Sequence, residues 1–230
     1  MVLGLSIEGT VEHAYIPALR FRPLTAWYDS IIRWTIRECA FKSRLVEQAN
    51  VHAGQRVLDL GCGTGTLTLL LKSRSLQAEV VGIDADPEIL AMARAKRVTS
   101  GLDIEFQQAL SFALPFHDNS FDCVVSSLMF HHLTRENKLR SLRESLRVLR
   151  PGGWLHIADF GAPQNTALRS AFFLVQIFDG FESTRDNVAG LLPGFVRDAG
   201  FSELGETAYF ATLFGTIRLL QAQKVCRQKS

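Results

Sequence analysis

Val57-Leu58-Asp59-Leu60-Gly61-Cys62-Gly63-Thr64-Gly65 is the stretch that decides how this chain reads. A short apolar run carries an acid near its end and then breaks into alternating glycines. Thr66 to Leu71 reads as the helix that follows. Glycines at such a junction permit sharp turning and let a ligand lie against bare backbone. In open α/β sheets ligands bind beyond the carboxyl ends of the strands. The loop therefore reads as a nucleotide site, where glycines serving only a tight turn are the plainer alternative.

The chain around it carries the matching pattern. Glu79-Val80-Val81-Gly82-Ile83-Asp84 reads as a second strand, and Asp84 stands where a carboxylate meets ribose hydroxyls. Pro87 sits where a first helical turn tolerates proline, so a helix runs on through Met92. Ile104 to Gln107 is a weaker third strand and Phe121 to Ser127 a fourth. Leu139, Leu142, Leu146 and Leu149 recur at helical steps, and Pro151-Gly152-Gly153 is expected to stop that helix. Trp154 to Asp159 is a fifth strand. Strands alternating with helices imply a parallel sheet covered on both faces. Asn187 to Ala199 reads as a helix broken at Pro193. Thr207 to Phe214 and Thr216 to Leu220, flanking Gly215, read as a hairpin that forms an antiparallel edge.

Two other loop chemistries fit less well. A nicotinamide site wants G-x-G-x-x-G, with a glycine where Thr66 stands. A phosphate-binding Walker loop needs Gly-Lys-Ser/Thr, and the loop has none.

Val57 to Gly65 resembles motif I of the class I S-adenosylmethionine-dependent methyltransferases. Further matches follow in order: Val81-Gly82-Ile83-Asp84, Leu114-Pro115-Phe116, Ser120-Phe121-Asp122, His131-His132-Leu133 and Arg147 to Gly153. The ordered set is similar to the branch that includes the ubiquinone/menaquinone-biosynthesis C-methyltransferases, and it is dense over residues 50 to 160. The resemblance implies an α/β, doubly wound, Rossmann-like sheet of seven mainly parallel strands, with an antiparallel C-terminal hairpin and a helical cap. It implies S-adenosylmethionine as cofactor. Asp59 would orient the loop, and Gly61 and Gly63 would lie against the methionine and ribose, with Cys62 and Gly65 completing the cradle. Asp84 would accept hydrogen bonds from both ribose hydroxyls, Ala85 would pack on adenine, and Ser126, Ser127 and Leu128 would face the methionine end. One position departs from the pattern. The family has an aspartate near the end of the third strand for the adenine amino group. Leu110 stands there, followed by Ser111, so that group must find backbone, Ser111 or water.

Methyl transfer needs the acceptor aligned at about 3 to 3.5 Å and water excluded. A general base is needed only when the acceptor must lose a proton. His131 and His132, after the fourth strand, are the base candidates, against a purely structural histidine pair. Asp159, at the end of the fifth strand, is expected to face the same crevice, against a role as a loop cap. Tyr28, Phe173 and Phe178 are candidates for an aromatic acceptor pocket, against plain core packing. They lie in an N-terminal helical cap, residues 1–50, and in an insertion near 163–185 of a domain spanning 51–230.

Bulk properties bound the partners. With 230 residues and a formal net charge of +2, the chain has no field that argues for nucleic acid. No apolar run approaches the roughly 18 to 20 residues of a membrane span. The four cysteines are scattered and form no metal-ligand cluster, which suits free thiols in the cytoplasm. A small-molecule acceptor, apolar or aromatic, is the expected partner. A cofactor-binding protein without transferase activity and a nicotinamide-dependent oxidoreductase are the rival readings.

Overall fold

The computed structural model of the protein describes residues 38–164, 181–212 and 215–226. Tyr28, Phe173 and Phe178 lie outside them, as do most of the expected cap and insertion.

Helix α1 (Glu38–Ala49) precedes strand β1 (Arg56–Leu60), helix α2 (Thr66–Arg74), strand β2 (Glu79–Asp84), helix α3 (Pro87–Ser100), strand β3 (Glu105–Gln108) and strand β4 (Phe121–Ser127). A 3-10 turn (Phe130–His132) leads into helix α4 (Arg135–Val148) and strand β5 (Leu149–Gly161). Helices α5 (Phe181–Val188) and α6 (Leu192–Asp198) and strands β6 (Ser202–Thr212) and β7 (Gly215–Gln223) complete the described chain. The seven strands form one sheet in the order β3-β2-β1-β4-β5-β7-β6. Chain order runs outward through β1, β2 and β3 on one side and from β4 to β5 on the other, where β7 and then β6 complete the sheet. The carboxyl ends of β1 and β4 therefore flank the switch point where open α/β sheets take ligands.

Local chemistry explains the joints. Asp86 caps α3 by accepting from the backbone of Glu88 and Ile89 at 2.8 and 3.3 Å, with Pro87 in the first turn and Gly101 closing it at φ 66°. Helix α4 ends at Val148, one residue before the leucine repeat does. Leu149 is fully buried and pairs with Phe121 of β4, and the residue before Pro151 is pushed toward extended backbone. Pro151-Gly152-Gly153 thus lies at the start of β5 rather than in a loop. The hairpin also refines the expected edge. Strand β7 lies inside, antiparallel to both β5 and β6, and β6 is the outer strand. Ile217, Leu219, Leu220 and Ala222 are buried in β7, whereas β6 is largely half-exposed.

Both faces of the sheet are covered. Leu58, Leu60, Val81, Val124 and Ile157 pack with α4 and α6 through Leu142, Val148, Leu192 and Val196. Val57, Val80, Val125 and Ala158 pack with α1 and α2 through Phe41, Leu45, Leu67 and Leu71. Parallel strands buried on both sides read as continuous apolar runs, as β1 and β2 do.

Candidate active site

Three glycines shape the turn after β1, and each meets different surroundings. A side chain at Gly61 (φ 72°) would stand 2.3 Å from Met129 Cγ. One at Gly65 (φ 76°) would press on Phe106 Cζ at 2.9 Å and Ala93 Cβ at 3.1 Å. One at Gly63 (φ 55°) would meet no atom within 4 Å. Gly61 and Gly65 are therefore glycines for the protein's own packing, and Gly63 is the one that opens onto space. Cys62 turns its side chain into a small core with Leu90, Ala93 and Phe106, while its N–H donates to Ile83 O at 2.8 Å. Burial, with Asp59 and Asp84 nearby, pushes its thiol well above the ordinary range.

Two carboxylates face this turn. Asp84 is half-buried; one oxygen accepts from Gly63 N at 2.9 Å and the other from Asp86 N at 3.0 Å. Each oxygen keeps lone pairs for further donors. Burial raises the Asp84 pKa above its ordinary value, against the pull of those amides. Asp59 is buried, and its Oδ2 accepts from Thr68 Oγ1 at 2.6 Å. Its Oδ1 is buried without a partner, as is Ser127 Oγ at the end of β4. Burial drives the Asp59 pKa from 3.8 to about 6, while Thr68 and then Lys42 pull the other way. Leu128 holds φ 55°, a strained value for a leucine, directly after Ser127.

The third-strand side is plainer. Gln108 Nε2 donates to Ala85 O at 3.0 Å. Leu110 forms a tight bridge with Ala113, and Ser111 Oγ lies 2.8 Å from Ser141 Oγ. The Ser111 hydroxyl is thus already engaged with α4.

Asp159 organises the turn after β4. Its Oδ2 accepts from Phe130 N at 2.7 Å and His131 N at 3.4 Å, and its Oδ1 accepts from Phe160 N at 2.7 Å. His131 Nδ1 lies 2.7 Å from the same Oδ1, with both side chains buried. A carboxylate oxygen accepts, so His131 Nδ1–H is the donor of this contact. Asp159 is at once the loop cap and the partner of His131. The His132 ring lies 4.0 Å from the His131 ring. Burial, then His131 and Lys138, hold the His132 pKa well below its ordinary value. Arg135 binds Asp186 of α5, with Nη2 2.5 Å from Oδ1, and buried Lys138 approaches that carboxylate at 3.9 Å. These pairs fasten α5 beside the turn.

The site thus joins a glycine opening, two carboxylates and a His–Asp pair along the carboxyl ends of β1, β2, β4 and β5. Residues 57–153 match the family model of a methyltransferase domain. Over 168 residues the chain is 39% identical to demethylmenaquinone methyltransferase of Thermus thermophilus, a match covering 73% of this chain and 70% of that protein. This chain belongs to the S-adenosylmethionine-dependent methyltransferases. It is also 39% identical to the ubiquinone/menaquinone biosynthesis C-methyltransferase UbiE of Yersinia enterocolitica, covering 57% of this chain and 53% of that one. The match thus spans about half the length of that relative. A solved S-adenosylmethionine-dependent methyltransferase from Methanosarcina mazei shares the fold, with TM-score 0.62 at 24% identity, covering 75% of this chain and 93% of that one. The seven-stranded doubly wound sheet is that of the family.

The fold gathers Asp59, Gly63, Asp84, Ser127, His131, His132 and Asp159 toward one edge of the sheet. It turns the side-chain positions of Gly61, Cys62 and Gly65 toward core contacts. Thr68 and Met129, which hold Asp59 and cover Gly61, carry no signal within the motif. No described helix is long and apolar enough to cross a membrane.

Proposed function

We propose that the protein binds S-adenosylmethionine across the carboxyl ends of β1 and β2 and methylates a small acceptor bearing an aromatic ring. The observation that carries this reading is the open face of Gly63, whose N–H donates to the Asp84 carboxylate. The residues fit the cofactor. Asp84, held by two backbone amides, would accept both ribose hydroxyls with its free lone pairs. Asp59 Oδ1 lacks a donor, and the cofactor's ammonium is one. Ser127 Oγ would take the polar methionine end beside it. Ala85 would pack on adenine. With Leu110 in place of the usual aspartate and the Ser111 hydroxyl facing Ser141, backbone or water would hold the adenine amino group.

The cofactor supplies an electrophilic sulfonium methyl group. The names of the relatives point to a ring-carbon acceptor of the quinone type, in its electron-rich reduced form. Forming the new C–C bond as the S–C bond breaks leaves a ring proton to be removed. His131 is the better base of the pair, because Asp159 orients it and compensates the charge it gains. His132, held neutral, lies against that ring. Tyr28, Phe173 and Phe178 would line the acceptor side, and four free thiols suit the cytoplasm.

The test is turnover. Purified protein with labelled S-adenosylmethionine and reduced demethylmenaquinone should yield the labelled, methylated hydroquinone and S-adenosylhomocysteine together. Cofactor binding without turnover on a panel of aromatic acceptors would leave a binding protein and remove the enzymatic reading.

A further inference from the structure

Helix α3 meets the glycine turn at two points on one of its faces. A side chain at Gly65 would stand 3.1 Å from Ala93 Cβ, so helix and turn are in close contact there. Lys96 follows Ala93 by three residues and so shares that face. It is half-buried, and its Nζ donates to Thr64 Oγ1 at 2.8 Å and to Thr66 Oγ1 at 3.3 Å. These threonines flank Gly65, and their hydroxyls lie 3.5 Å apart. One ammonium thus bridges both sides of the turn from a helix that follows β2. A lysine suits the task, because three donors sit on one atom at the end of a flexible stem and a hydroxyl oxygen accepts.

The turn has little else to fix it. Gly61, Gly63 and Gly65 hold φ of 72°, 55° and 76°. Glycine loses more conformational freedom on ordering than any other residue. Gly65 N donates to Cys62 O at 3.0 Å and Gly63 N to Asp84 Oδ2 at 2.9 Å. Helix α2 opens at Gly65 without a side-chain cap, so its first turn does not set the approach. Thr64 and Thr66 are the hydroxyl-bearing residues here, and both are bonded to Lys96. Gly63 directly precedes Thr64, so holding Thr64 holds the residue whose open side meets no other atom. A ligand that meets a turn already in its bound shape spends no binding free energy on ordering it.

We propose that Lys96 is a positioning residue for cofactor binding: by tying Thr64 to Thr66 it holds Gly63 and Gly65 in the left-handed shape that leaves the Gly63 side open. Lys96 acts through the threonines and is assigned no contact with the ligand. The inference rests on the reading of that opening as the cofactor site. The clamp itself stands without it.

The test measures S-adenosylhomocysteine affinity by calorimetry and amide hydrogen exchange by NMR on the full chain. Lys96→Met keeps an unbranched stem and removes the ammonium. It should weaken the ligand about tenfold, roughly 1.4 kcal/mol. It should also speed exchange of the Gly63, Thr64 and Gly65 amides in the free protein, with the melting temperature nearly unchanged. Lys96→Arg, whose fork can reach both hydroxyls, should keep most of the affinity. Thr64→Val/Thr66→Val removes the same two bonds from the other side. It should show the same loss, and adding Lys96→Met to it should cost nothing further. Unchanged affinity in a folded Lys96→Met protein, an equal loss in Lys96→Arg, or losses that add in the combined variant would overturn the proposal. If Lys96→Met does not fold, unchanged affinity in Thr64→Val/Thr66→Val overturns it alone. Failure of S-adenosylhomocysteine to bind the wild type would instead overturn the cofactor reading, and exchange at Gly63, Thr64 and Gly65 would still judge the clamp.

Discussion

Asp59 should make cofactor binding depend on pH in a direction fixed by its surroundings. Burial raises its pKa from 3.8 to about 6 in the free protein, and Oδ1 waits for a donor. A shift of about two units corresponds to roughly 3 kcal/mol held against the charged form. If the cofactor's ammonium meets Oδ1, binding returns the group toward its ordinary value and releases its proton. A folded value raised in the free protein means that its ionisation costs stability as pH rises through about 6, and the ligand recovers that cost. Affinity for S-adenosylhomocysteine should therefore fall about tenfold between pH 7 and pH 5. Calorimetry at pH 6 in buffers of different ionisation enthalpy should show about half a proton released per ligand bound. Asp84 is raised as well and adds a slope of the same sign, so Asp59→Asn is the control. It should remove most of the pH dependence. Thermal stability is a poorer readout. The depressed carboxyls of Asp186 and Glu144, held down by Arg135 and Arg147, lose their contribution as pH falls and oppose the Asp59 effect. Affinity flat between pH 5 and pH 7, or a slope that survives Asp59→Asn, would refute the contact with the ammonium.

The two glycines should separate packing from binding. Gly61→Ala drives a methyl group onto Met129 and should lower the melting temperature markedly, whereas Gly63→Ala carries only the left-handed backbone cost of about 1 to 2 kcal/mol and should instead lose cofactor affinity in calorimetry. Asp159→Asn places an amide against groups that need an acceptor. It should cost about 1 to 3 kcal/mol in denaturant unfolding, shift the His131 hydrogen from Nδ1 to Nε2 in ¹⁵N spectra, and lower kcat with cofactor affinity intact. Phe173→Ala or Phe178→Ala should depress methyl transfer while stability holds; a stability loss of about 3 to 5 kcal/mol with normal turnover per folded molecule would make them core residues.

The sequence carried the fold because its strongest features are local. Asp59 stands one residue before the end of β1, Asp84 ends β2, Pro87 opens a helix, and Gly101 ends it; each acts on its own few residues. Which glycine opens onto space was not legible, because the answer lies with Met129, Phe106 and Ala93, brought in from other elements by the sheet. The leucine repeat overran α4 at Leu149, where pairing with Phe121 and the constraint before Pro151 outweigh helical periodicity. Asp159 caps the turn after β4 and also accepts from His131, since one carboxylate has lone pairs for both. Asn187 stood in a stretch read only as a broken helix. Its buried amide oxygen is left without a hydrogen bond, which no sequence pattern records.

Whether the opening at Gly63 beside Asp84 is a site for S-adenosylmethionine is tested most directly by calorimetry of the purified chain. S-adenosylhomocysteine should bind at one site per chain and NAD should not. Asp84→Ala should weaken the former by a few kcal/mol, since charge-assisted hydrogen bonds are worth about 1.5 to 3 each. Tighter binding of NAD, or unchanged affinity in a folded Asp84→Ala protein, would contradict the account.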